Sequence, residues 1–236
     1  SSFDKDNYAR QGDFKEAEFV IRYSSAAIEL NEYGLSGLQA EASLGRKTVQ
    51  EIAVLDGVTE VKEIKDLGCR FDYPKNDEYG KNDGVYPLTE KEMEDIGKYL
   101  EEGSCDDGKL MSGDYILVAG NDTAEEIYGW RFKVGDSIVL HFYDGTQMAE
   151  KEVKILGILN QQYNRDNNGI EGWFLMPEQA VLNLVCYESL NSRLLVSPEE
   201  RKEALIGEVL PQMVEKRAEL SLETLAERRV VYEPSV

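Results

Sequence analysis

The 236-residue chain carries 46 acidic against 26 basic residues, a formal net charge of −20, with 42% hydrophobic and 31% charged residues. Such acidity excludes a nucleic-acid partner, whose affinity is built on Lys and Arg neutralising phosphates; it disfavours anionic lipid headgroups and leaves cationic ligands open. The charge reads first as a solubility device, and the length suffices for one large core or two small ones.

No apolar run of about 18 residues occurs, so nothing reads as a bilayer span, and no signal peptide is present. A start at Ser1 suggests an excised or processed piece of a longer protein. Cys69, Cys105 and Cys186 form an odd set without C-x-x-C spacing, which favours free thiols over a zinc site and leaves one bridge open.

Residues 1–12 are polar and unpatterned and read as a leader. Over residues 14–23, Ala17, Phe19, Ile21 and Tyr23 alternate with Glu16, Glu18 and Arg22, the period of a half-buried strand. Gly34 and Gly37 interrupt a weakly helical stretch, and a helical face emerges from Lys47 through Val49, Ile52 and Leu55. Val58, Val61 and Ile64 predict a second strand, completing a βαβ unit.

Residues 71–87 are rich in Gly, Pro, Asn and Asp and read as a loop. Its Tyr73, Tyr79 and Tyr86 are candidate partner-contact residues, since aromatic side chains anchor interfaces; rings pinning the loop to its own domain explain them as well. Thr89-Glu-Lys-Glu92 is a capping box that opens a helix with Met93, Ile96 and Leu100 inward, ended by Gly103. An acidic turn, Asp106-Asp107-Gly108, follows.

Residues 113–160 carry the least ambiguous succession. Tyr115 to Val118 reads as a strand, and Asp122 with Glu125 as a capping box. The helix they open buries Ala124, Ile127 and Tyr128 and ends at Gly129. Val134-Gly-Asp is a turn. Ser137 to Phe142 and the segment with Val153, Ile155 and Ile158 form a hairpin about Asp144-Gly145.

Residues 161–172 imitate the first half of a calcium loop at Asn164, Asp166, Asn168 and Gly169. The twelfth position is Leu175, which cannot coordinate, so a hairpin connection is the better reading. Trp173 to Leu175 resumes as a strand, and Pro177-Glu178 opens a helix with Val181, Leu182 and Leu184. Arg193 to Val196 is a strand, and Ser197-Pro-Glu-Glu200 reads as a helix start. The helix has an apolar stripe of Leu205, Val209, Met213 and Val214, kinked or broken at Pro211. Ser221 reads as a second cap before Leu222 and Leu225, Val230 to Tyr232 as a last strand, and Pro234 as the end of the pattern.

The two ends thus read as strand-helix-strand units around an insert. The fold class expected is α+β: a split βαβ, ferredoxin-like subdomain from residues 1–67 and 189–236, with helices on one face of its sheet, and an inserted α+β subdomain at 68–188.

The Ala124–Gly129, Val134–Ile138 and Val153–Ile158 segments, in that order and spacing, resemble the extracytoplasmic domain of MacB/FtsX-type ABC transporter permeases. That resemblance implies a porter-like subdomain made from both ends of an insert, a second subdomain between them, and transmembrane helices on either side. It also implies a cytoplasmic ATP-binding subunit as partner, an envelope protein, peptide or lipid as substrate, and a place on the extracytoplasmic face of the membrane. The Tyr-rich acidic loop and the Pro211 helix depart from the family pattern. No cofactor, metal site or catalytic residue is implied.

Two other classes compete. One is a freestanding secreted binding or adhesion module using the Tyr loop. The other is a secreted hydrolase, whose inventory is thin: the single histidine, His141, falls inside an alternating strand, and no G-x-S-x-G, H-E-x-x-H or phosphate loop occurs.

Overall fold

The computed structural model describes residues 1–23, 45–78, 80–167, 174–217 and 220–231. The first half, in chain order, is α1 (Ser2–Ala9), β1 (Phe19–Tyr23), α2 (Gly45–Ala53), β2 (Val58–Asp72), β3 (Lys81–Leu88), α3 (Glu90–Asp95), β4 (Leu100–Gly103), α4 (Asp107–Met111), β5 (Tyr115–Val118) and α5 (Asn121–Tyr128). Then come β6 (Ser137–Tyr143), β7 (Met148–Leu159), α6 (Gln161–Asp166), β8 (Phe174–Pro177), α7 (Glu178–Leu184), β9 (Asn191–Pro198), α8 (Glu203–Glu215), β10 (Leu220–Thr224) and α9 (Leu225–Val231). No described helix is long and apolar enough to cross a membrane. The described residues divide into two compact units: one takes those up to Ile64 and from Ser192 onward, the other spans Lys65–Asn191.

In the first unit β1 pairs antiparallel with β10, Phe19 opposite Thr224, and with β9, Phe19 opposite Val196. β2 lies beside β9, and the Glu199 amide closes that side by donating to the Gly57 carbonyl at 2.7 Å. The order β10-β1-β9-β2 is that of two interleaved strand-helix-strand units, the split βαβ arrangement.

The helices do not keep to a single face. Phe19, Ile21, Leu194 and Val196 pack with Ile52 of α2 and with Ile206 and Leu210 of α8. Val20 and Leu195 on the opposite face pack with Ala9, Phe14, Ala17, Ile64 and Leu225. The supposed leader is α1, held at its start by a reciprocal Ser1–Asp4 capping box.

Further expectations at this end are corrected, among them Ser221, which lies within β10 and not at a helix start. The final strand is β10 at Leu220–Thr224, and the apolar Val230 and Val231 belong to α9 and are exposed. A helix forms there because Leu225 packs inward while Arg228 donates to the Ala9 carbonyl at 3.0 Å and Arg229 pairs with Asp6 of α1. β9 also continues through Pro198, and α8 starts at Glu203 without a side-chain cap. The buried stripe of α8 is accordingly Ile206 and Leu210, with Leu205 40% exposed, and Pro211 sits inside an unbroken helix.

In the second unit the strands close on themselves. β2 pairs with β3, β3 with β8, β8 with β5, β5 with β7, β7 with β6, and β6 returns to β2 through Arg70↔His141, Phe71↔Leu140 and Asp72↔Val139. Side chains of period two fill the ring: Leu67, Cys69 and Phe71; Ile116 and Val118; Ile138, Leu140 and Phe142; Val153 and Ile155; Phe174 and Met176. The outward residues Tyr86, Leu88, Leu117, Leu156 and Leu175 are covered by a second layer with Ile96, Tyr99, Leu110 and Tyr163.

A shift of register between Ile116 and Leu117 leaves Leu156 of β7 unmatched, a bulge. Gly157 follows it because a Cβ there would fall on the Ser104 carbonyl oxygen.

The expected loop at 71–87 is shorter than that: β2 runs to Asp72 and β3 begins at Lys81, so only the connection between them is irregular. The helix after Thr89 is short, passing through a 3-10 turn at Ile96–Tyr99 into β4, which pairs with β7. Residues 161–166 form α6 rather than a hairpin connection, capped by Asn160. The expectations for Gly34, Gly37, Asn168, Gly169, Trp173, Tyr232 and Pro234 lie outside the described residues.

One buried ion pair crosses the first unit. Arg193 on β9 donates through Nε at 2.8 Å and Nη2 at 3.1 Å to Asp13, with side chains 10% and 14% exposed. Removing one partner takes a close opposite charge from a largely buried one. Asp13→Ala should lower the urea unfolding free energy by about 3 kcal/mol, and Asp13→Asn, which keeps an acceptor, by less. Equal small losses would show that the pair is solvent-screened.

Candidate functional site

The three candidate tyrosines are not brought together on a surface. Tyr73 is 5% exposed and packs in the ring's interior cluster, its ring 4.9 Å from Trp130 and 4.8 Å from Phe132. Its hydroxyl donates to Asp136 at 2.7 Å, and burial reinforced by that carboxylate pushes its pKa up. Tyr86, also 5% exposed, turns to the outer layer and donates to Glu92 at 3.1 Å. Neither ring is presented to a partner, and Tyr79 lies outside the described residues. The reason is local: Tyr73 follows the inward-facing Phe71 by two, and Tyr86 sits one residue past the inward Val85.

Next to Tyr73, Lys81 sits 5.5 Å from the Tyr128 ring centroid, 5.6 Å from Trp130 and 5.8 Å from Phe71. It donates to the Tyr73 carbonyl at 2.9 Å and pairs with Asp77. An aromatic cage of this kind suits a cation, and here the chain's own ammonium fills it.

His141 stands on the strand that closes the ring. Its Nε2 lies 2.8 Å from Asp72 and its Nδ1 3.6 Å from Glu150, both carboxylates. A Ser-His or Cys-His hydrolase needs a hydroxyl or thiol within hydrogen-bond reach of the base, and neither neighbour is one. Among the described residues no group of three or more His, Cys, Asp or Glu side chains has metal-holding geometry. The cysteines are free: Cys69 is buried, its pKa raised by that burial, and Cys186 is exposed.

Among the described residues of the second unit, a smaller and a larger open cleft stand out. The smaller, about 310 Å³, lies between the start of α5, at Gly120, Asn121, Asp122 and Thr123, and α6 with Gln161, Asn164 and Arg165. The expected Asp122–Glu125 capping box is absent; Gly120 is the N-cap, while Asp122 and Glu125 hold Arg131 at 2.8 and 2.6 Å. Asn121 instead turns inward and clamps Phe132, accepting from its amide at 2.6 Å and donating to its carbonyl at 3.1 Å. Of the expected helix face only Ala124 is buried; Ile127 and Tyr128 are 60% and 40% exposed. Gly129 ends the helix with φ +78° as its position requires.

The larger cleft, about 590 Å³, is bounded by α3, α4 and α7 and lined by Leu88, Glu90, Met93, Glu94, Asp107, Met111, Pro177, Glu178, Gln179 and Leu182. It combines apolar and acidic side chains without a base. The sequence signalled its helix starts, the Thr89 box and Pro177-Glu178, but not that they face one another.

A scan against protein-family models finds no match, and a search of the curated proteins finds none. Among solved structures, the chain is similar to the periplasmic region of MacB from Actinobacillus actinomycetemcomitans: 10% identity, TM-score 0.48, 93% of this chain and 94% of that one covered. It is also similar to the extracellular domain of the noncanonic ABC-type transporter YknZ from Gram-positive bacteria: 14% identity, TM-score 0.44, 87% and 99% covered.

Two polar groups test this packing. Asn121→Ala strands a buried amide and carbonyl of Phe132, and should cost about 2 to 4 kcal/mol in chemical denaturation; a loss under about 0.5 kcal/mol would mean water replaces the clamp.

Tyr163 is the opposite case, its buried hydroxyl having no partner among the described residues. Tyr163→Phe should therefore raise stability by about 1 kcal/mol at neutral pH. Burial raises the Tyr163 pKa above its unfolded value, so its contribution is whole below roughly pH 10 and is lost as pH rises beyond it. Wild-type unfolding free energy should fall above that pH, and more gently in the Phe variant. Parallel curves would show that Tyr163 keeps no raised pKa.

Proposed function

We propose that this chain is the extracytoplasmic domain of a MacB/FtsX-type ABC transporter permease. The observation that carries the reading is topological. A split βαβ sheet is assembled from both ends of the chain, and residues 65–191, from within β2 to the start of β9, form a closed ring of strands. An insert between two membrane helices must return to where it left. α1 and α9 lie side by side, tied by Arg229–Asp6 and by Arg228 to the Ala9 carbonyl. The motif at residues 124–158 supports the same family, since its helix, turn and hairpin are α5, the Val134–Asp136 turn and β6–β7.

On this reading the domain has no catalytic role of its own. ATP is hydrolysed by a cytoplasmic ATP-binding subunit, and the domain, anchored by transmembrane helices outside residues 1–236, passes movement to an envelope protein, peptide or lipid. The surroundings of His141 support the same reading, because its ring is held between the carboxylates of Asp72 and Glu150 at the seam of β2 and β6.

The test is the full-length protein with its ATP-binding subunit in liposomes. Apolar stretches of spanning length should flank residues 1 and 236. Replacing residues 65–191 by a short Gly-Ser linker should leave basal ATP hydrolysis intact and abolish the transport or partner activation coupled to it. Absence of spanning stretches on both sides sinks the proposal, as does full coupled activity in the linker variant.

A further inference from the structure

The 590 Å³ groove of the second unit has the chemistry of a binding site. Leu88, Met93, Met111, Pro177 and Leu182 supply an apolar lining, and Glu90, Glu94, Asp107 and Glu178 an acidic rim, with no lysine, arginine or histidine among the lining residues. Glu178 is matched by Lys65 at 2.7 Å. Among the described residues, Glu90, Glu94 and Asp107 form no ion pair.

The rim is set by the helix start. Glu92 is folded back by the capping box onto the Thr89 amide at 3.0 Å and toward Tyr86, while Glu90 and Glu94, four residues apart on α3, line the groove. Like charges at that spacing destabilise a helix, and a cation seated at the rim would relieve them.

We infer that this groove holds a cationic amphipathic helical segment of a partner peptide. Its volume is that of a preformed pocket. Its methionine side chains adapt to varied apolar anchors, and Met111 is 38% exposed. A helix laid in a groove presents anchors at i, i+3, i+4 and i+7 while its flanking lysines and arginines reach the rim. An anionic lipid surface is repelled by the same carboxylates. The inference rests on the second unit alone and stands whether or not the chain belongs to a permease.

The probe is a fluorescein-labelled peptide of leucine and lysine only, with leucines at helical spacing, measured by anisotropy against the whole chain. Binding should weaken with salt, and a leucine–glutamate peptide should not bind. Glu90→Gln, Glu94→Gln and Asp107→Asn together should weaken binding at least about tenfold, with circular dichroism and melting temperature preserved. Met111→Gln should weaken it several-fold. Neutralising Glu203, Glu208 and Glu215 on α8 to Gln should leave it unchanged.

If both triple variants lose affinity equally, the peptide is adsorbing to net charge and the inference fails. It fails too if the Met111 variant binds like wild type, or if dodecyltrimethylammonium below its micelle concentration displaces the peptide as readily as an unlabelled copy does.

Discussion

The second unit depends on β6 pairing with two strands at once. Against β7 it forms a long hairpin ladder from Ser137↔Lys154 to Tyr143↔Met148, and against β2 a short one of which Phe71↔Leu140 is the middle pair. The first is local, joined by a turn in which Asp144 accepts from the Thr146 and Gln147 amides. The second brings together residues about seventy apart in sequence, and its loop-closure entropy must be offset by what closure buries. What it buries is the interior set around Phe71, Phe132 and Phe174, with ring centroids 4.9 to 6.2 Å apart. Closure also removes two sheet edges that would otherwise expose unpaired backbone groups. The single histidine bridges this seam to Asp72, which gives it a structural place.

The local half of this was legible in the sequence and the distant half was not. Period-two alternation, the Val-Gly-Asp turn and Gly129 identify β6, β7 and the end of α5 because their causes lie within a few residues. The same alternation does not say which strand is the neighbour, so the inserted subdomain was readable as α+β but not as a ring. Residues 71–87 misled for a physical reason: Gly84 stands against the Asp66 side chain and Pro87 pairs parallel with Met176, so loop-like residues sit in a strand where close approach suits them. At the C-terminal end, Val230 and Val231 look like a strand, yet contacts from Arg228 and Arg229 to α1 decide for a helix. Tertiary partners overrode local preference there.

The candidate site shows the same division. Thr89 to Glu92 was recognisable as a cap, and the structure has it with both reciprocal bonds. The tyrosines were recognisable as aromatic but not as buried, because facing is settled by register: Tyr73 and Tyr86 occupy opposite faces of one layer. The acidic surplus was visible at once, whereas the concentration of three unpaired carboxylates along an apolar groove is a property of α3 and α4 facing α7.

That groove is shaped indirectly by the seam. α3, α4 and α7 are six, five and seven residues long, too short to persist alone in water. Side-chain caps at Thr89 and Asp106 satisfy the first amides of α3 and α4, and packing seats all three on the outward faces of β3, β5 and β8. Those faces exist only because Leu88, Leu117 and Leu175 point away from an interior filled by the alternate residues. A slip of one residue in β3, β5 or β8 would exchange the inward and outward sets of that strand, taking from both the core and the platform under the helices. The acidic rim is therefore placed by the same alternation that packs the ring, so a change deep inside, far from any carboxylate, reaches the groove by moving the helices that carry it.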